Sequence, residues 1–143
     1  MTRLGINELQ SILGDGFPDH AVPVVEDVTS ESVLVRYPVT ERHGRPGGTL
    51  NGPTMMMLAD TAAWVAILAE AGPVLLAVTT SLHIDFLRKP ELNDLMARAR
   101  LLKLGRKLAV VEVELFTAGA TDLVAKAQVT YSLPSSDSPT VAQ

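Results

Sequence analysis

The stretch from Thr54 to Glu70 constrains this chain more than any other part of it. Met55 to Ala59 and Ala62 to Ala69 are apolar throughout, and neither Gly nor Pro intervenes between Pro53 and Gly72. Ala, Leu and Met are strong helix formers, Pro53 suits a first helical position, and Gly72 suits the position just past the end. A helix that is apolar on every side must be enclosed on every side. The stretch falls short of the about 20 apolar residues a bilayer needs, and Asp60 interrupts it, so a core helix is expected rather than a membrane span.

The flanking sequence supplies material for the enclosure. Ile6, Leu9, Ile12 and Leu13 recur at helical spacing up to Gly14, a short amphipathic helix. Ala21 to Val28 and Ser32 to Val39 read as two Val-rich strands with a turn near Ser30, and Glu41 to Pro53, rich in Gly and Pro, reads as a loop. Beyond the long helix, alternation gives four more strands. Leu75 to Arg88 places Leu82, Ile84 and Phe86 on one face, and Asp94 to Leu104 places Leu95, Ala97, Ala99 and Leu101 on one face. Leu108 to Thr117 follows a turn at Gly105 to Lys107 and faces Ala109, Val111, Val113 and Leu115 inward. Leu123 to Leu133 aligns Ala125, Ala127, Val129 and Tyr131. The expected architecture is α+β: one long central helix wrapped by a curved antiparallel sheet of five to six strands, with the open sheet face left for another subunit. With 143 residues, one domain is expected over 1–134, and the Ser, Pro and Asp-rich residues 135–143 read as a disordered tail.

Composition narrows the function. The chain is 47% hydrophobic, 20% charged and 4% aromatic, a surplus of apolar residues that points to a subunit interface. Without cysteine there is no disulfide, thiolate metal site or cysteine nucleophile, and the start lacks a signal-peptide core, so a cytoplasmic protein is expected. Net charge is -4, yet Arg88 to Lys107 holds seven basic residues against two acidic ones, +5 there and -9 elsewhere. That distribution, with few aromatics, argues against nucleic-acid binding and for either a small polyanion or plain solvated strand faces. No membrane partner is expected.

Asp60 is the single acid between Glu41 and Glu70. A buried carboxylate costs several kcal/mol unless partnered, so this residue has either a chemical role or a structural partner such as Thr61 or a backbone group. The preceding run Arg45 to Pro53 brings flexible backbone to a helix N-terminus, where amides can hold an oxyanion; Gly52 can donate while Pro53 has no N–H. The same run also suits a plain turn capped by Asn51. Gly52 and Asp60 are eight residues apart, about 12 Å along a helix, so one carbonyl cannot touch both on the same helix. If both act on one bond, they come from two chains. His20, His43 and His83 lack metal-ligand spacing and read as loop and structural residues, so no metal is expected. Met55 to Met57 read as packing, with Met56 also suited to lining a substrate pocket. Trp64, one turn beyond Asp60, reads as core or interface or as a substrate contact.

The loop, the step Leu58-Ala59-Asp60, the strand Val78 to Arg88 and the hairpin Leu104 to Glu114 together resemble the PaaI-type hotdog-fold acyl-CoA thioesterases, over about residues 40 to 132. The resemblance implies a homodimer with a continuous sheet, often paired into a homotetramer, and no cofactor, coenzyme A entering as part of the substrate. By the same resemblance Asp60 is the general base or nucleophile, Gly52 polarises the thioester oxygen across the interface, and Thr79 helps place the water. The family's usual His-Gly-Gly reads Asn51-Gly52-Pro53 here, and the Asn six residues earlier is Arg45; both are carried as candidate substrate contacts. Arg88, Lys89, Arg106 and Lys107 are candidate contacts for coenzyme A phosphates, matched in type. Two other readings stand beside hydrolysis: a hotdog hydratase or dehydratase, disfavoured because neither the run Arg45 to Pro53 nor the helix offers a His, and a non-catalytic acyl-CoA binding module.

Overall fold

A computed structural model describes residues 4–16 and 22–135. The chain runs α1 (Ile6–Gly16), β1 (Val24–Val28), β2 (Val33–Tyr37), a 3-10 turn (Glu41–His43), β3 (Gly44–Arg45), β4 (Thr49–Leu50), α2 (Gly52–Ala71), β5 (Val78–Phe86), β6 (Leu95–Leu104), β7 (Leu108–Thr117) and β8 (Ala125–Ser132). Six strands form one antiparallel sheet in the order β1-β2-β6-β7-β8-β5, leaving β1 and β5 as edges. The expected α+β architecture is present, with the upper of the two strand counts. The loop read between Glu41 and Pro53 is more ordered than its composition implies: it holds the 3-10 turn and the small β3–β4 hairpin.

The alternation along each strand sorts into two faces. Val33, Val35, Leu95, Ala97, Ala99, Ala109, Val111, Val113, Leu115, Ala125, Ala127 and Val129 are buried and face α2, which lies mainly across β6 and β7. Ala97, Ala99, Ala109, Ala125 and Ala127 are small residues on the sheet face turned to the helix, and Leu58, Ile67 and Leu68 of α2 are fully buried. Each such leucine contributes about 1.5–3 kcal/mol relative to exposure. The outer face is charged: Glu112 of β7 pairs with Arg100 and, at 3.1 Å, with Lys126, and the Arg98 guanidinium lies 5.6 Å from the centre of the Phe116 ring. Arg98 and Arg100 are thus strand-face residues with neighbours of their own.

α2 begins at Asn51, whose Oδ1 accepts the Thr54 N–H at 2.8 Å, so Gly52 rather than Pro53 is the first helical residue. It ends at Gly72, whose φ of 89° is a region other residues rarely adopt. At 20 residues it is long and apolar enough to cross a membrane, which removes the length argument against a span. Burial decides instead, since 67% of its most apolar window lies inside the fold. α1 closes one end, burying Leu9 and Leu13 and bonding β1 through Gln10, whose Oε1 accepts the Val25 N–H at 2.8 Å. The tail reading for 135–143 falls, beyond residue 135, outside the described residues.

Candidate active site

One stripe of α2 escapes enclosure. Pro53 and Met56 are exposed, and Met57, Asp60 and Trp64 are half-buried, at spacings that place all five on one side of the helix. Asp60 stands in the middle of this stripe, and its neighbours there are apolar.

The sheet holds the Asp60 carboxylate from one side. Oδ1 accepts the Thr79 hydroxyl at 2.7 Å and the Tyr131 hydroxyl at 2.9 Å, and the Tyr131 hydroxyl also lies 3.0 Å from the Asp60 backbone carbonyl. Thr79 and Tyr131 are opposite one another on β5 and β8, beside a register shift between Thr79 and Ser81. Such a bulge re-aims side chains, and here it points Thr79 to the helix side. Among the described residues Oδ2 has no hydrogen-bond partner. Burial, reinforced by the Asp60 charge, pushes the Tyr131 phenol well above the usual tyrosine range, against a smaller opposing effect of Thr79. Tyr131 therefore stays protonated and donates to the carboxylate.

Thr61, a potential structural partner of Asp60, turns away, donating its hydroxyl to the Met57 carbonyl at 2.9 Å. Tyr131 is the residue that sequence reasoning missed. It was legible as the inward position that follows Ala125, Ala127 and Val129 on β8, and a hydroxyl in such a stripe needs an acceptor.

Gly52 lies at the other end of β5. The Phe86 ring sits against it, such that a Cβ on Gly52 would be 3.5 Å from Cζ. Its N–H, at the first helical position, has no backbone acceptor among the described residues. An open cleft of about 510 Å³ joins Gly52, Arg45, Met55, Phe86, Arg88 and Lys89. The methionine lining this cleft is Met55; Met56, the expected pocket residue, is 43% exposed and lies on the Asp60 stripe instead. Asn51 serves as the helix cap, and its N–H bonds the His43 carbonyl at 2.8 Å. Trp64 shares the Asp60 stripe, with its indole Nε1 buried and without a hydrogen-bond partner among the described residues.

The basic residues do not form one patch. Arg88 and Lys89 follow the end of β5, whereas Arg106 and Lys107 sit at the β6–β7 turn, beside Leu108, which is in register with Ser132 and through it with Val78 at the start of β5. The eight steps of β5 separate the two pairs by about 26 Å. Within one chain, therefore, Gly52, Arg45, Arg88 and Lys89 gather at one end, and Asp60, Thr79, Arg106 and Lys107 lie toward the other. Another cleft, of about 540 Å³, between Glu31, Glu70 and Arg100, holds none of the expected site residues. His83, read as structural, is exposed and lies 3.2 Å from Asp85.

The sequence pattern of the thioesterase superfamily matches residues 47–130, more than half of the chain. The chain belongs to that superfamily. Its relatives agree: a Silicibacter structure described as a candidate thioesterase is 41% identical, covers 94% of both chains and superposes with a TM-score of 0.85. A Ralstonia eutropha structure, described as a candidate thioesterase related to phenylacetic acid degradation, is 25% identical over 90% of this chain and 92% of that one, with a TM-score of 0.70. A candidate esterase of Halobacterium salinarum is 32% identical over 85% of this chain and 86% of its own. This thioesterase has the hotdog fold, the PaaI-type resemblance holds, and the chain is a hydrolase acting on thioesters.

Proposed function

We propose that this thioesterase hydrolyses small to medium acyl- or aryl-CoA at an interface between two copies of the chain, with Asp60 as general base or nucleophile and Gly52 of the partner subunit polarising the thioester carbonyl. The observation that carries this reading is the disposition along β5: Asp60 is bonded to Thr79 near its start, while Gly52 lies against Phe86 at its end. Among the described residues β5 is an unpaired edge, and Val78 and Phe86 on it are at least half exposed, a strand suited to pairing with its own copy. Two-fold pairing of β5 with β5 is antiparallel. It brings the partner's Gly52 end alongside this chain's Asp60 end, twice over. The same operation gathers Arg106 and Lys107 of one copy with the partner's Arg45, Arg88 and Lys89, a basic setting for coenzyme A phosphates. The apolar stripe of Met56, Met57 and Trp64 then receives cover, and an acyl chain has a place beside Asp60.

In the general-base route, Asp60 Oδ2 takes a proton from water as the water oxygen bonds to the thioester carbon. The carbonyl oxygen gains charge facing the partner's Gly52 N–H at a helix N-terminus. Collapse breaks the C–S bond, the proton passes to sulfur, and the products are a carboxylic acid and the coenzyme A thiol. In the alternative route the carboxylate attacks the thioester carbon directly and the C–S bond breaks to expel the coenzyme A thiolate. Water then cleaves the resulting anhydride, restoring the Asp60 carboxylate and releasing the carboxylic acid, with one proton of the water kept by the acid and the other passing to the thiolate.

A panel of aliphatic and aromatic acyl-CoAs assayed with wild type and Asp60→Asn tests the reading. Expected is turnover by wild type and a fall in kcat of about 10²- to 10⁴-fold in the variant. Turnover indifferent to the substitution overturns the role of Asp60, and saturable binding without turnover of any thioester favours a binding module.

A further inference from the structure

We infer that Tyr131 is a positioning residue: its hydroxyl, within hydrogen-bond distance of both Asp60 Oδ1 and the Asp60 carbonyl, shares its one proton between them and aims Oδ2 at the reacting centre. The inference rests on the reading that puts Asp60 at the chemistry.

Three observations carry it. The Tyr131 hydroxyl lies 2.9 Å from Asp60 Oδ1 and 3.0 Å from the Asp60 carbonyl, so one phenol spans both and holds the side-chain torsions between them. Thr79 donates to the same oxygen, which leaves Oδ2 without a protein donor among the described residues. Two donors on Oδ1 draw negative charge there and fix the carboxylate plane, so the open oxygen has one direction rather than several.

Tyr131 itself is 5% exposed on a strand inside the sheet, and its ring is locked by the core around it. Thr79 is exposed on an edge strand, so the more rigid of the two donors is Tyr131. Its burial keeps the phenol protonated, so it donates throughout the pH range in which a carboxylate base works.

The test is Tyr131→Phe, which removes one oxygen, made in wild-type and Asp60→Asn backgrounds and assayed with the best acyl-CoA from the panel. Expected is a fall in kcat of about 10- to 100-fold with KM within about 3-fold, the range for losing a hydrogen bond to a charged group. No comparable further loss is expected in the Asp60→Asn background. Tyr37→Phe, which removes a phenol hydroxyl 3.3 Å from His43 Nε2, is the control and should leave kinetics unchanged. In ¹³C NMR, the Asp60 carboxyl resonance should move in Tyr131→Phe and stay in Tyr37→Phe.

An unchanged kcat, an equal loss in the Asp60→Asn background, or an unmoved carboxyl resonance overturns the inference. If wild type turns over no acyl-CoA, the functional reading fails by itself, and the carboxyl resonance alone then decides whether Tyr131 holds Asp60.

Discussion

Thr79 Oγ1 and Asp60 Oδ1 meet at 2.7 Å, tying the middle of α2 to the second residue of the edge strand β5. Because the hydroxyl donates to the carboxylate, Thr79→Val removes a hydrogen bond to a charge, and kcat should fall about 10- to 100-fold. Thr79→Ser keeps the donor and should retain most of the activity. Steady-state kinetics of the two variants decide the matter, and equal loss in both would assign the effect to packing on the sheet edge instead.

A site shared between chains has a signature that no single-chain site can imitate. Gly52→Pro removes the N–H at a first helical position, where proline is tolerated, and Asp60→Asn disables the carboxylate. Each homodimer should be inactive. Refolding them together in equal amounts gives about half hybrid dimers, each with one intact site, and so about a quarter of wild-type activity. Activity that stays at the level of the separate variants would place both groups on one chain. Light scattering of wild type at micromolar concentration should show at least two copies.

Acid sensitivity should trace to Asp94. Its Oδ1 accepts the Val39 N–H at 3.1 Å and its Oδ2 pairs with Arg36 at 2.8 Å, and these contacts, the Val39 bond foremost, hold the carboxyl below the usual aspartate range. A carboxyl depressed in the folded state adds stability above its unfolded value of about 3.9, and that stability drains away as pH falls through the folded value. Glu112, depressed chiefly by Lys126, acts in the same direction. Urea midpoints should therefore fall between pH 5 and pH 3 on the order expected for Asp and Glu titration, and less steeply in Asp94→Asn. Parallel curves for the two proteins would contradict this.

Asn51 caps α2, its Oδ1 accepting the Thr54 N–H at 2.8 Å. Asn51→Ala should cost about 1 kcal/mol of unfolding free energy, whereas Asn51→Asp should cost little. Chemical denaturation at pH 7 measures both. A loss in Asn51→Ala confined to KM, with stability unchanged, would make Asn51 a substrate contact rather than a cap.

The elements were legible in the sequence because their causes are local. Alternation in Leu95 to Leu101 and Ala109 to Leu115 follows from one buried sheet face, and the apolar run after Pro53 follows from a helix closed in by that sheet. Asp60 announced itself as a lone acid in that run, and the arithmetic of its separation from Gly52 needed only the rise of a helix.

What only the tertiary structure decided is which distant residues meet. Tyr131 reaches Asp60 across 71 positions and Arg36 reaches Asp94 across 58, and no periodicity records such pairs. Strand order also split the basic residues: Arg88 and Arg106 are neighbours in the charge tally but lie at opposite ends of β5, since the intervening chain spends its length in β6. Local pattern tells a residue which way to face, inward or outward. A hydrogen bond needs two atoms within about 3 Å, and that is set by the path of the whole chain.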